Sequence, residues 1–163
     1  MTTSSITTTD GIRLVYDVVG AGSALMLLHG GGGGQTRQSW HDTGYVARLQ
    51  DDFTVITMDI RGHGDSNKPI TPNAYTIDKM CSDILAVADA CRVDRFVLWG
   101  FSYGGNIGRY LAAKSDRVAK IVVMGIPFGL AASGDFREFI NEFRAHWQPI
   151  VQANLAGELD VAT

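Results

Sequence analysis

Ten of the nineteen glycines of this chain cluster in three groups, and each group stands at the end of an apolar run. Residues 30–34 follow the run 24–28, Gly62 and Gly64 follow 54–58, and Gly100, Gly104 and Gly105 follow 95–99. A short, uninterrupted apolar run closed by glycines is the pattern of a strand covered on both faces that ends in a tight turn. Helical spacing fills the gaps between the runs. Residues 39–50 predict a moderately amphipathic helix. Thr76 is placed to cap a second helix, in which Ile77, Met80, Cys81, Ile84, Leu85, Ala88 and Cys91 recur on one face. Residues 103–113 predict a third helix and residues 118–124 a further strand. Near the N-terminus, 12–18 reads as a strand after the Asp10-Gly11 turn, with 6–9 as its hairpin partner. Alternation of strand and helix requires right-handed crossovers, so the expected fold class is α/β, a mostly parallel sheet with helices on both faces.

The expected core covers residues 1–128. Beyond Pro127 the character changes: Phe136, Phe139, Ile140, Phe143, Trp147, Ile150 and Val151 form an aromatic stripe that belongs to no strand–helix unit. Residues 129–163 therefore read either as a core helix or as the start of a helical lid over a pocket. Composition narrows the partners. A net charge of −3, with no lysine- or arginine-rich block, gives no reason to expect nucleic acid or an anionic membrane. The first residues lack the basic and apolar regions of a signal peptide, and no apolar stretch approaches the ~20 residues of a membrane span. A soluble, cytoplasmic protein is the expectation. Cys81 and Cys91 fall on one predicted helix about 15 Å apart along its axis, too far for a disulfide, and read as apolar fillers. No metal site and no cofactor are expected.

Chemistry concentrates in two of the glycine groups. Gly100-Phe101-Ser102-Tyr103-Gly104 fits G-x-S-x-G and lies between a predicted strand and a predicted helix, the context this motif needs. A serine on such a strained turn requires small neighbours on either side, and the helix behind it directs free N–H groups at the same point. The plainer reading is a glycine-rich turn with an incidental serine. The run His29-Gly30-Gly31-Gly32-Gly33-Gly34 supplies backbone that can approach a substrate and stabilise a developing oxyanion. A phosphate-binding loop is the competing reading. It lacks the G-K-[ST] ending and the G-x-G-x-x-G context, although Asp59 at a strand end leaves a dinucleotide site conceivable.

Taken together, the H-G loop, the D-x-R-G-x-G-x-S turn of residues 59–66 and the G-x-S-x-G-G elbow resemble the α/β-hydrolase family in kind and in order. The resemblance covers nearly the whole chain. It implies that Ser102 is the nucleophile and that the N–H groups of Tyr103 and Gly31 form the oxyanion hole, with Gly32 a further option. It also implies structural roles for His63 and His29. Trp40, Phe101, Phe128 and His146 are candidates to line the pocket. Relatives that open epoxides or cleave carbon–halogen bonds carry aspartate at the position of Ser102, so serine points to a small ester-like acyl substrate: a carboxylic ester, a lactone or a related acyl compound. A cofactor-free perhydrolase shares the same serine site. A non-catalytic ligand-binding or regulatory module of the same fold is the alternative class.

The family supplies its acid and then its histidine after the lid, in the order Ser, Asp or Glu, His. Of the four histidines here, His29, His41, His63 and His146, only His146 follows Ser102. It sits in the aromatic stripe, where a pocket-lining role fits the family's topology better than that of the base. The expectation is an incomplete, weakly active or inactive form ending near the start of the lid, with the C-terminal strands absent. It would expose strand 118–124 or the lid helix to self-association.

Overall fold

A computed structural model of the chain describes residues 1–32 and 34–126, together with 141, 144, 145 and 148. Phe128, His146 and the expected lid lie outside the described residues, save those last four positions, which are helical and exposed.

Among the described residues six strands form one sheet: β1 (Thr2–Thr7), β2 (Arg13–Val19), β3 (Ser23–Leu28), β4 (Phe53–Met58), β5 (Phe96–Phe101) and β6 (Val118–Met124), in the order β1-β2-β4-β3-β5-β6. β1 and β2 pair antiparallel, as does β2 with β4. β4, β3, β5 and β6 run parallel to one another. The sheet is therefore mixed, and its parallel part is the part the glycine-terminated runs predicted. The second run, β4, lies beyond β3 and not beside β5, so the chain reverses direction across the sheet after β4. Such a reversal opens a crevice at the carboxyl ends of the strands.

β3 shows why these runs are continuously apolar. Met26 and Leu28 face a core with Ile84 of α3 (Ile77–Ala90) and Ile107 of α4 (Tyr103–Lys114). Leu25 and Leu27 face a second core with Trp40 and Val46. Each face thus has its own helical cover. Thr76 caps α3 as expected, its hydroxyl accepting from Lys79 N–H at 3.4 Å. Cys91 stands just past the helix as its C-terminal cap. Burial pushes the Cys81 thiol up to about 12, which makes it an inert filler.

Two predicted elements are corrected. The hairpin strand expected at 6–9 runs earlier, as β1 (Thr2–Thr7), because Thr8 and Gly11 close the turn with a 2.9 Å bond from Gly11 N–H to Thr8 O. Residues 39–50 do not form a single helix but two short ones, α1 (Gln38–Asp42) and α2 (Tyr45–Leu49). The break is at Gly44, whose φ of 78° lies in the left-handed region and ends the first helix. At the far side, β6 is the outermost described strand, with Ile121 and Val122 37% and 40% exposed. Among the described residues no helix is long and apolar enough to cross a membrane.

Candidate active site

Ser102 lies between the last residue of β5 and the first of α4, on an inner strand of the sheet. Its φ and ψ are 49° and −113°, a positive φ that an L-residue adopts only under strain; such positions cost on the order of 1–3 kcal/mol and cluster at functional sites. Hydrogen bonds hold it there. Ser102 N–H donates to Met124 O at 2.7 Å, and its carbonyl accepts from Asn106 N–H at 3.0 Å. Close packing holds it as well. A Cβ on Gly100 would come within 2.4 Å of Gly105 N, and one on Gly104 within 2.6 Å of the carbonyl oxygens of both Leu28 and His29. The glycines of the motif are thus required by contact between two backbones.

The same contacts bring the other glycine loop to the elbow. A Cβ on Gly30 would lie 3.5 Å from Ser102 Cβ, and one on Gly31 3.0 Å from Tyr103 Cβ. So Gly31 meets Ser102 and Tyr103, about seventy residues further along the chain, at one point above the sheet, at the N-terminal end of α4. Tyr103 is buried, and its hydroxyl donates to Met80 Sδ at 2.8 Å, fixing α4 against α3.

His29 shapes the loop. It is 1% exposed. Its Nε2 accepts from Ile60 N–H at 3.1 Å, so its proton is on Nδ1, which donates to Gly30 O at 2.7 Å. Burial lowers its pKa to about 4, against the smaller upward pull of the Gly30 carbonyl, so the ring is neutral around pH 7. With both nitrogens used, His29 ties the glycine loop to the end of β4. His63 packs beside it, ring centroids 5.0 Å apart, with Nδ1 3.3 Å from Arg61 O. Among the described residues no imidazole is hydrogen-bonded to the Ser102 hydroxyl.

A cavity of about 220 Å³ opens beside the elbow. Of the candidate lining residues, Trp40 and Phe101 border it, joined by Tyr45, Met124, Gln35 and Ser39. Phe101 carries the cavity next to Ser102 along the chain, while Ser102 itself is not among the lining residues. Phe101 and Met124 end parallel strands and His29 directly follows one, so the cavity sits at the carboxyl edge of the sheet. Trp40, Tyr45 and Trp99 pack edge to face, with centroids 5.3 to 5.9 Å apart. Tyr45 and Met124 were not singled out in the sequence. The signals were there in an aromatic five positions after Trp40 and in the last residue of a predicted strand. Among the described residues no cluster of histidine, cysteine and carboxylate side chains could hold a metal ion.

Residues 23–149 match the family model described as the alpha/beta hydrolase fold. A soluble epoxide hydrolase of a Corynebacterium species is 32% identical over 128 residues, covering 77% of this chain and 42% of that protein. The 3-oxoadipate enol-lactonase 2 of Acinetobacter baylyi is 31% identical over 117 residues, covering 71% of this chain and 42% of that protein. Among solved structures, a hydrolase from Pseudomonas aeruginosa superposes with a TM-score of 0.68 at 33% identity, covering 74% of this chain and 44% of that one. The chain therefore spans about two fifths of the length of these relatives. With a strained serine on an inner strand, a glycine loop packed onto it and a family match over most of its length, the chain belongs to the α/β-hydrolase fold family.

Proposed function

We propose that Ser102 is the nucleophile of a serine hydrolase acting on a small ester-like acyl substrate. The observation that carries the reading is the meeting of Gly30 and Gly31 with Ser102 and Tyr103 around a serine at positive φ. In the reaction, Ser102 Oγ attacks the acyl carbon as its proton passes to a base. The N–H groups of Tyr103 and Gly31 stabilise the oxyanion. The tetrahedral intermediate then expels the alkoxide, which takes up the proton, and leaves an acyl-serine. Water attacks that ester in the same way, releasing the acid and restoring the hydroxyl. The cavity bordered by Trp40, Tyr45, Phe101 and Met124 suits an apolar acyl group.

Two relatives suggest different chemistry by their names, an epoxide hydrolase and an enol-lactonase. Serine at position 102 favours the second. An epoxide-opening relative uses an aspartate there, whose ester water can cleave at the acyl carbon, whereas a serine that opened an epoxide would be left as a stable ether.

The 163 residues by themselves are expected to react slowly, because among the described residues no imidazole is bonded to the hydroxyl. Loss of a triad histidine costs on the order of a million-fold in turnover. The test is treatment of the chain with an alkyl fluorophosphonate, followed by peptide mass mapping. Slow labelling confined to Ser102 supports the reading. Rapid labelling would overturn the slow-reaction part and point to a base within the chain, His146 being the histidine that follows Ser102.

A further inference from the structure

One guanidinium stands at the N-terminal end of α1, the helix whose Ser39 and Trp40 line the cavity. Arg37 is the N-terminal cap residue of α1, and its side chain is 14% exposed. Its Nε donates to Asp17 Oδ2 at 3.1 Å; its Nη1 donates to Asp65 Oδ2 at 2.9 Å and to Asp59 Oδ2. Its backbone N–H donates to Asp59 Oδ1 at 2.7 Å. The three carboxylates come from separate places: Asp17 from β2, Asp59 from just past β4, and Asp65 from the following turn. The side chains of Asp17 and Asp59 are 4% and 0% exposed. Asp17 also accepts from Thr3 Oγ1 at 2.6 Å and lies 3.3 Å from His41 Nε2, and Asp59 accepts from Asp65 N–H at 2.8 Å.

α1 has five residues, too few to hold a helix in place without tertiary contacts. Its place is set at one end by Arg37 and along its length by the packing of Trp40 on the sheet. Burial opposes the Arg37 charge, and the surrounding carboxylates outweigh it, so its pKa is raised. A lysine cannot replace the fork, since a single ammonium does not span three carboxylates in fixed directions.

We propose that Arg37 is a positioning residue for the cavity beside Ser102: by clamping Asp17, Asp59 and Asp65 it fixes α1, and through α1 the cavity wall formed by Ser39 and Trp40. Its effect on substrate choice rests on the reading of Ser102 as nucleophile; its effect on the wall does not.

The experiment compares Arg37→Lys and Arg37→Met with the wild-type chain and with Arg117→Met, which removes the pair with Asp89 at the start of β6. Near-ultraviolet circular dichroism reports the Trp40–Tyr45–Trp99 cluster, far-ultraviolet dichroism reports the fold, and labelling of Ser102 by short- and long-alkyl fluorophosphonates reports the cavity. Arg37→Lys is expected to keep the far-ultraviolet spectrum and lose most of the aromatic signal. The ratio of long- to short-alkyl labelling rates should change by about tenfold or more, since misplacement of about 1 Å costs up to about a hundredfold. Arg117→Met should leave both unchanged. Wild-type aromatic spectra and rate ratios in folded Arg37 variants would overturn the proposal. Should neither Arg37 variant fold, Asp65→Ala decides: it removes one arm, and a partial loss of aromatic signal supports the clamp while a wild-type spectrum refutes it. If no probe labels even the wild-type chain, the reading of Ser102 fails and the aromatic spectrum still judges Arg37.

Discussion

Two turns at the carboxyl edge of the sheet are built by opposite means. The elbow at residues 100–105 is fixed by missing side chains: backbone meets backbone where Gly100 and Gly104 stand. The turn at 59–66 is fixed by charge and hydrogen bonds. Asp59 and Arg61 are fully buried or nearly so, Ser66 Oγ donates to Asp59 O at 2.7 Å and accepts from Val15 N–H at 2.9 Å, and Arg61 forks onto Asp83 with two bonds of 2.6 Å. Burial opposes the charge of Arg61, and its bonds to Asp83 and Asp10 outweigh that, raising its pKa. A turn fixed by contact fails abruptly when a methyl is added. One fixed by charge responds in graded fashion to loss of a partner and to pH. The strained serine belongs to the first kind, which holds a backbone angle without placing a charge beside the reacting atoms.

The contrast is sharpest at Gly104. Gly104→Ala places a Cβ 2.6 Å from two carbonyl oxygens that cannot move without breaking the sheet. It should abolish cooperative unfolding, against a total stability of about 5–15 kcal/mol for a domain; a denaturant curve like that of the wild type would break the steric account. Asp83→Asn comes next. It leaves the Arg61 guanidinium buried with half its fork, and should cost about 3–5 kcal/mol by urea unfolding. A cost below 1 kcal/mol would mean that charge is not what holds this turn.

His29 joins the two regions, so its protonation tests both. With a folded pKa near 4 and an unfolded one near 6.5, the unfolded chain binds a proton between these values that the folded chain does not. Stability therefore falls as the pH drops from 6.5 towards 4. At pH 5 the loss relative to pH 7.5 should be about 2 kcal/mol. His29→Asn should flatten the profile by that amount, and parallel profiles would contradict it. The smallest effect is expected at the exposed pair of Lys114 with Asp78, 3.2 Å apart. Lys114→Met should leave the urea unfolding midpoint at its wild-type value, which calibrates the larger losses.

The same contrast explains what could be read from the sequence. The glycine-terminated parallel strands and the strand–turn–helix setting of Ser102 follow from spacing within a few residues. The order β4-β3-β5 does not, because spacing does not say on which side of β3 the next strand pairs. Arg37 does not announce itself, because its carboxylates are 20, 22 and 28 residues away and only the folded sheet brings them together. Gly44 is silent in the sequence for a related reason. A glycine inside an amphipathic pattern is compatible with a continuous helix, and its φ of 78° is chosen by the packing of Trp40 and Val46 on the sheet.

The central claim is that the elbow makes Ser102 the reacting atom. Mass mapping after fluorophosphonate treatment, carried out in parallel on the wild-type chain and Ser102→Ala, tests it most directly. The account predicts a slow, single adduct on Ser102 and none on the variant. Adducts scattered over other hydroxyls, or the same adduct yield from Ser102→Ala, would contradict it.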